Sequence, residues 1–391
     1  MTMDFTFTEE QRMMASEFRK LVDEICSPRL LRAAAEGRGD ETGGDFAGRR
    51  GTGFHGADAR GADARGDDIR GADACNANAR WHRLVELGLP GILAPEAHGG
   101  MGLSDIDFVL IAEEAGRVAL PDPLVEHAGV AVPTLAELAA HPRVAEKLAA
   151  VATGRTRVAV GHPVNPFVLE AARANYLLLT LGDEIYLLES DSLRLVRAPS
   201  VDPLRALFNV ESPLNESTRI ATGPLAQRVT QRALARGALY GAAQLVGLCT
   251  RMIELAAAYA RERKQFGKQI GSYQAIKHHL ATARVKLEFA RPVLYAAATR
   301  VASLDERAQT AISHAKLAAT DAADLAARTS LQIHGAMGYS WEVDLHFYMK
   351  RAWALAGTWG DRGFHLRRLS SLVLENALEL GPGHTFDTRN C

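Results

Sequence analysis

The sequence predicts an α+β protein, mostly α, with a helical N-terminal domain, a small middle β domain and a C-terminal four-helix bundle. Three observations carry this. Apolar residues recur at helical spacing before about residue 152. Between about 155 and 222 the period shifts to short strand-like runs. From Ala226 onward, long alanine-rich segments carry faces of small residues, which favours close antiparallel helix packing. The expected domains are 1–152, 153–223 and 224–391.

Thr8-Glu9-Glu10-Gln11 reads as a capping box, and Phe18, Leu21, Val22 and Ile25 give the helix behind it an apolar face. From about Glu36 to Arg80 the composition changes. Gly56, Gly61, Gly66 and Gly71 recur with Arg60, Arg65 and Arg70 in step, a tandem expansion of Gly-Ala-Asp-Ala-Arg. A pentapeptide solenoid needs an inward Leu or Phe in each turn, and Ile69 alone approaches that. The segment has too little apolar surface to offset its ordering entropy, so 36–80 is expected to be a disordered insert. Gly51-Thr52-Gly53-Phe54-His55-Gly56 matches G-x-G-x-x-G, but no strand precedes it and no amphipathic helix follows, so no dinucleotide site is assigned. Arg38-Gly39-Asp40 reads as a solvated turn.

Order is expected to resume at Trp81, with Leu84, Val85 and Leu87 on a helix ending near Gly88-Leu89-Pro90-Gly91. Ser104-Asp105-Ile106-Asp107 caps the next helix, and further helices are expected over about 123–138 and 142–151. Val158–Val160, Tyr176–Leu179, Ile185–Leu188 and Leu193–Leu195 are strand candidates, with Gly182-Asp183 as a hairpin turn. The bundle helices are expected over 226–263, 273–303 with a kink at Pro292, and 308–333, then from near Trp341 and after Gly360.

Composition narrows the function classes. Lysine plus arginine total 45 and aspartate plus glutamate 46, a balance that favours neither nucleic acid nor an anionic membrane. Cys26, Cys75, Cys249 and Cys391 lack metal-ligand spacing, so no metal site is expected. Residues 1–11 are polar and acidic rather than basic then apolar, and no apolar run reaches the roughly 20 residues of a spanning helix. A cytoplasmic protein without a membrane span is the expectation.

Two stretches carry the chemistry. One is Arg261-Glu262-Arg263-Lys264-Gln265-Phe266-Gly267, with Gln274 further on; the other is Gln332-Ile333-His334-Gly335-Ala336-Met337-Gly338-Tyr339. A diphosphate needs a fixed cation and converging N–H donors. Arg263 ends a long helix with a guanidinium fork, Phe266-Gly267 permits a tight turn, and Gly335 offers bare backbone. Taken singly, Arg263 also reads as a charge complementing the helix dipole and Gly335 as a C-cap.

Together the two stretches resemble the flavin-phosphate-binding motifs of the acyl-CoA dehydrogenase family, and the order of helices, small β domain and bundle resembles that family's fold. Leu87–Gly91 and Pro95–Ser104 look like its loop before the third helix. The resemblance implies FAD as cofactor, an acyl-CoA substrate and a tetrameric assembly in which these motifs touch a flavin held mainly by a neighbouring subunit. It places cofactor contacts at Arg263, Phe266, Gln274, Gln332, Gly335 and Ala336, the last standing where relatives have glycine.

Two departures stand out. Relatives contact the flavin ring through a Thr-Glu-Pro segment with a following Gly-Ser and a later Trp-Ile-Thr stretch. Here Gly161-His162-Pro163-Val164-Asn165-Pro166 occupies the first place, and no Trp lies between Arg155 and Thr222. The family's reaction also needs a carboxylate to remove the Cα proton while hydride leaves Cβ, because a carboxylate's pKa rises when bound substrate excludes water. The two positions where relatives carry that glutamate hold Trp359 and Gly237. Asp361 is the nearest alternative base, and it equally reads as an N-cap; Glu342 matches an acidic position of the family that is usually structural.

Gly338-Tyr339-Ser340-Trp341-Glu342-Val343-Asp344-Leu345-His346, the Trp359-Gly360-Asp361 ending and the short β domain resemble the smaller subunit of heterotetrameric bacterial acyl-CoA dehydrogenases of steroid side-chain degradation. There one subunit supplies the glutamate and the other completes a shared flavin site. The leading expectation is therefore an FAD-dependent acyl-CoA dehydrogenase subunit, in a homo- or hetero-oligomer with a second such chain. A homo-oligomer using Asp361 or another carboxylate, a flavin-free scaffolding subunit with an eroded site, and a flavin oxygenase on the same scaffold stay open.

Overall fold

The computed structural model describes residues 7–39 and 72–375. The N-terminal part is helical: α1 (Glu9–Ile25), α2 (Pro28–Gly39), α3 (Ala72–Glu86), α4 (Asp105–Arg117), α5 (Leu124–Glu126), a π-helical turn (His127–Ala131), α6 (Val132–Glu137) and α7 (Pro142–Ala152). The Thr8 capping box forms, with the Thr8 hydroxyl accepting from Gln11 N–H at 3.2 Å and the Gln11 carboxamide accepting from Thr8 N–H at 2.9 Å.

Two helical runs depart from expectation. α2 has no counterpart among the expected elements, although Pro28 is well placed as its first residue. α3 begins at Ala72 rather than at Trp81, because the alanines that look like repeat sequence are also strong helix formers. The expected disorder of 36–80 therefore gives way to helix at both edges. Its middle, including the glycine repeat, Asp40 and the G-x-G-x-x-G match, lies outside the described residues.

The middle of the chain forms two small sheets from β1 (Val158–Gly161), β2 (Val168–Leu169), β3 (Tyr176–Leu181), β4 (Glu184–Glu189), β5 (Leu195–Ala198), β6 (Leu207–Val210) and β7 (Arg219–Thr222). One sheet has the order β1-β3-β4-β7, with β1 parallel to β3 and the other pairs antiparallel; the second is an antiparallel β2-β6-β5. Gly182 turns the β3–β4 hairpin with a φ of 61°. Strand alternation divides the core. Leu178, Ile185 and Leu187 face the helices, whereas Leu177, Tyr186 and Leu188 pack with Phe208 of the second sheet.

The C-terminal part comprises α8 (Gly223–Glu262), a hairpin of β8 (Lys264–Gln265) and β9 (Lys268–Gln269), α9 (Gln274–Ala298), α10 (Glu306–His334), α11 (Leu345–Gly357) and α12 (Arg362–Ser370). α9 runs unbroken through Pro292. α8 is the axis of the fold, packing on α9, α10, α11 and, from the N-terminal part, α4. Gly247 and Gly116 make the last contact: a Cβ at Gly247 would lie 1.9 Å from Glu113 O, and one at Gly116 would lie 2.2 Å from Gln244 O. Backbone meets backbone at this crossing, which no larger residue permits.

Candidate functional site

The two predicted stretches meet. Arg263 closes α8, the β8–β9 hairpin projects beside it, and α10 ends at Gly335 against the same space. The cleft between them measures about 550 Å³ and is lined by Arg263, Phe266, Gly335 and Ala336, together with Tyr259, Tyr273 and His334. Gln274, the first residue of α9, and Gln332, exposed on α10, stand outside this lining.

The geometry suits an anion. The Arg263 side chain makes no ion pair or hydrogen bond with any described residue. The first turn of α9 reaches the cleft at Ala275 and Ile276, bringing the positive end of a 25-residue helix to it. Gly335 has a φ of 60°, and nothing lies within 4 Å of where its Cβ would be, so its backbone can be approached closely. Tyr259 stacks on His334 at 4.4 Å and walls the cleft. His334 Nδ1 lies 2.8 Å from Ser330 O, and burial holds its imidazole below the usual range. Phe266 takes a left-handed φ of 52° and is 92% exposed, an unburied phenyl on a conformation that L residues avoid.

The two positions where relatives carry the base also meet, and they hold no carboxylate. Trp359 lies on Gly237: a Cβ at Gly237 would fall 2.1 Å from the indole Cδ2 and 2.5 Å from Cε2 and Cε3. The tryptophan is 3% exposed and sits at a φ of 58°. Three contacts hold it. Asn165 Oδ1 accepts from Trp359 N–H at 2.7 Å, His365 Nε2 donates to Trp359 O at 3.0 Å, and the His162 ring lies 5.4 Å from the indole. The segment Gly161–Pro166, which stands where relatives carry a ring-contacting segment and departs from it, holds this tryptophan through Asn165 and His162. Asp361 accepts from Phe364 N–H at 2.7 Å, capping α12, and Glu342 is exposed.

Sequence reasoning missed three groups here. Lys316 is buried in α10 and donates to Leu355 O at 2.5 Å and Thr358 O at 2.9 Å, capping α11 just before Trp359; burial pushes its amine down to about 7. It recurs at core spacing among Ile312, Ala315 and Ala319, a pattern that marks it as inward-facing. Arg205 and Glu126 line a second cleft, of about 240 Å³, between the sheets and the end of α11, with Asn165, Thr358 and Trp359. Nothing in their sequence neighbourhood distinguishes them. Among the described residues no group of three or more His, Cys, Asp and Glu is placed to hold a metal, and no helix is long and apolar enough to cross a membrane.

Comparison with known proteins agrees with this layout. Residues 63–160 match the acyl-CoA dehydrogenase N-terminal domain and residues 227–371 the acyl-CoA dehydrogenase C-terminal domain. The chain is 31% identical over 299 residues to acyl-CoA dehydrogenase IpdE2 of Mycobacterium tuberculosis, covering 76% of this chain and 87% of that protein. It is 32% identical over 314 residues to acyl-CoA dehydrogenase FadE34 of the same organism, covering 74% of this chain and 41% of that longer protein. In fold it is similar to the ChsE4-ChsE5 complex of M. tuberculosis, with a TM-score of 0.73 at 20% identity over 96% of this chain and 100% of that one. Butyryl-CoA dehydrogenase of Megasphaera elsdenii gives a TM-score of 0.75 at 18% identity over 95% and 100% of the two chains.

Proposed function

The chain belongs to the acyl-CoA dehydrogenase family, and from that premise we propose that it is the flavin-completing subunit of an FAD-dependent enzyme that introduces an α,β double bond into an acyl-CoA thioester. A second acyl-CoA dehydrogenase-like chain supplies the catalytic carboxylate. The observation that carries this reading is the packing of Trp359 on Gly237, which leaves an indole and a bare glycine at the two positions where relatives carry the base.

The chain's own residues divide the work. Arg263 would hold the cofactor diphosphate with its unengaged guanidinium, and the α9 N-terminus would add backbone donors and partial positive charge. Gly335 lets the phosphates reach the backbone, while Ala336 narrows the space beside it. The exposed Phe266 would offer the cofactor an apolar surface, whereas Gln274 and Gln332 stand outside the cleft lining. When bound, FAD supplies the hydride acceptor. Trp359, clasped by Asn165, His162 and His365, keeps acyl groups out of the corresponding place on this chain. Pairing with a second chain, in a tetramer of two such pairs, is supported by the fold likeness to the two-protein ChsE4-ChsE5 complex. A cytoplasmic setting is consistent with Cys26 and Cys249, both buried and free.

Anaerobic addition of acyl-CoA tests the proposal. The chain purified alone should leave its visible flavin spectrum unreduced or show none, and the chain co-expressed with its neighbouring acyl-CoA dehydrogenase-like gene product should bleach. Bleaching by the chain alone would overturn the division of labour and restore a homo-oligomer with its own base. A co-expressed complex that recovers no yellow cofactor would favour a scaffolding subunit. Oxygen uptake with externally reduced flavin would favour an oxygenase.

A further inference from the structure

The smaller cleft between the sheets and the end of α11 contains a guanidinium with too little to bind. Arg205 is 7% exposed. Its Nη1 lies 3.5 Å from Thr358 Oγ1 and its Nη2 lies 3.9 Å from Glu126 Oε1, both at the outer limit of a useful contact. Thr358 Oγ1 donates to Ala354 O at 2.9 Å and faces Arg205 as an acceptor, at a distance that makes the contact weak. The neighbouring buried arginine is better matched: Arg351 pairs with Asp202 and donates to Leu120 O at 2.8 Å, leaving its Nη2 without a partner. Asp202 is thereby taken, and like Glu170 it reaches Arg205 only as negative charge at a distance. A buried guanidinium carries five donors and a full charge, and proteins seldom leave such a group weakly matched.

The rest of the lining defines what would match it. Val160, Leu169, Leu207 and Trp359 give the cleft apolar walls, and its volume of about 240 Å³ falls below that of pockets built for drug-sized ligands, about 300–1,000 Å³. We propose that this cleft is a binding site for a small organic carboxylate: the anionic head takes the Arg205 fork and the apolar body lies against Trp359 and the sheet side chains. A guanidinium can serve two carboxylates on separate edges, so Glu126 keeps its distant contact while the ligand takes the open edge. The site is separate from the Arg263 cleft, uses none of its residues, and stands whether or not the chain shares a flavin.

The test uses the protein as purified, with its partner where the two co-purify. Calorimetry and tryptophan fluorescence would follow titration with benzoate and with benzamide, which has the same shape without the charge. Saturable benzoate binding is expected, with benzamide at least tenfold weaker. Arg205→Met, which keeps most of the packing, should weaken benzoate at least tenfold, and Arg205→Lys should retain part of the binding. Succinate against succinyl-CoA separates a free acid from the carboxyl end of a thioester, and preferential binding of either over succinamide supports the site. Equal affinity for benzoate and benzamide would reduce the cleft to an apolar hole and overturn the proposal. So would benzoate binding unchanged in a folded Arg205→Met, or no saturable binding of any acid in the series. Because the first comparison needs no variant, a misfolded Arg205→Met leaves the proposal exposed to refutation. A flavin bound at about one per chain and competed off by benzoate would assign the cleft to a ring system instead, and would also overturn it.

Discussion

A double-mutant cycle across Trp359 and Gly237 puts the filled base position to a quantitative test. A methyl at residue 237 would lie 2.1 Å from the indole Cδ2, an inner ring atom that no small adjustment of χ removes. Overpacking of this kind costs about 1–3 kcal/mol. Without the ring, the same Gly237→Ala change should stabilise by about 1 kcal/mol, since alanine outranks glycine inside a helix such as α8. Trp359→Ala alone removes a side chain that is 3% exposed and should cost about 3–5 kcal/mol. The coupling energy is then about 2–4 kcal/mol, with Gly237→Ala changing sign between backgrounds. Urea unfolding of the four proteins measures it. Additivity within about 0.5 kcal/mol would refute the packing, because residues out of contact show no more than that. Trp359→Gly gives a second reading. At a φ of 58° an L residue is strained by roughly 1–2 kcal/mol. Glycine should therefore be more stable than alanine at this position.

Other outcomes follow from the same geometry. His127, His162 and His365 are buried with their imidazoles pushed down to about 4, and each has a ring nitrogen facing a backbone carbonyl. A folded pKa below the unfolded value of about 6.5 means that the unfolded chain binds protons first as pH falls. The stability is fully present above about 6.5 and is lost toward 4, at up to about 1.4 kcal/mol per pH unit for each histidine. The urea midpoint should therefore fall between pH 6.5 and 5, and a flat midpoint would contradict it. Arg263→Gln should lower FAD retention by the co-expressed complex roughly tenfold or more, the scale of one charge-assisted hydrogen bond, without changing its size by gel filtration. Unchanged retention would remove Arg263 from the site. Gly247→Ala should destabilise by about 1–3 kcal/mol or more, because Glu113 O stands 1.9 Å from the new methyl. Gly241→Ala on the same helix meets only Lys316 Nζ at 3.5 Å and should be tolerated within about 1 kcal/mol, as thermal melts would show.

Much of the fold is legible in the sequence because two different periods alternate along the chain. The capping boxes, the Gly182 hairpin and the long alanine faces of α8 and α10 each state their structure locally. α2 and the start of α3 are not legible in this way. Alanine-rich text next to a glycine repeat looks like low complexity, and only docking against the N-terminal core distinguishes the helix. Arg263 and Gly335 are recognisable because both sit at helix ends, where sequence punctuation is strong. Counting along the chain finds Trp359 and Gly237 separately, but their contact joins α8 to the turn after α11 and no local pattern announces it. Arg205 and Glu126 are illegible for the same reason: their environment is made by chain segments far from them in sequence. Lys316 is the opposite case, since a lysine at core spacing among alanines was available to be read.

Quantifying FAD against protein in the purified complex of this chain with its neighbouring acyl-CoA dehydrogenase-like partner tests the shared cofactor most directly. Sharing predicts about one FAD for every two chains. One FAD for each chain would contradict it, and would mean that every chain holds a flavin site of its own.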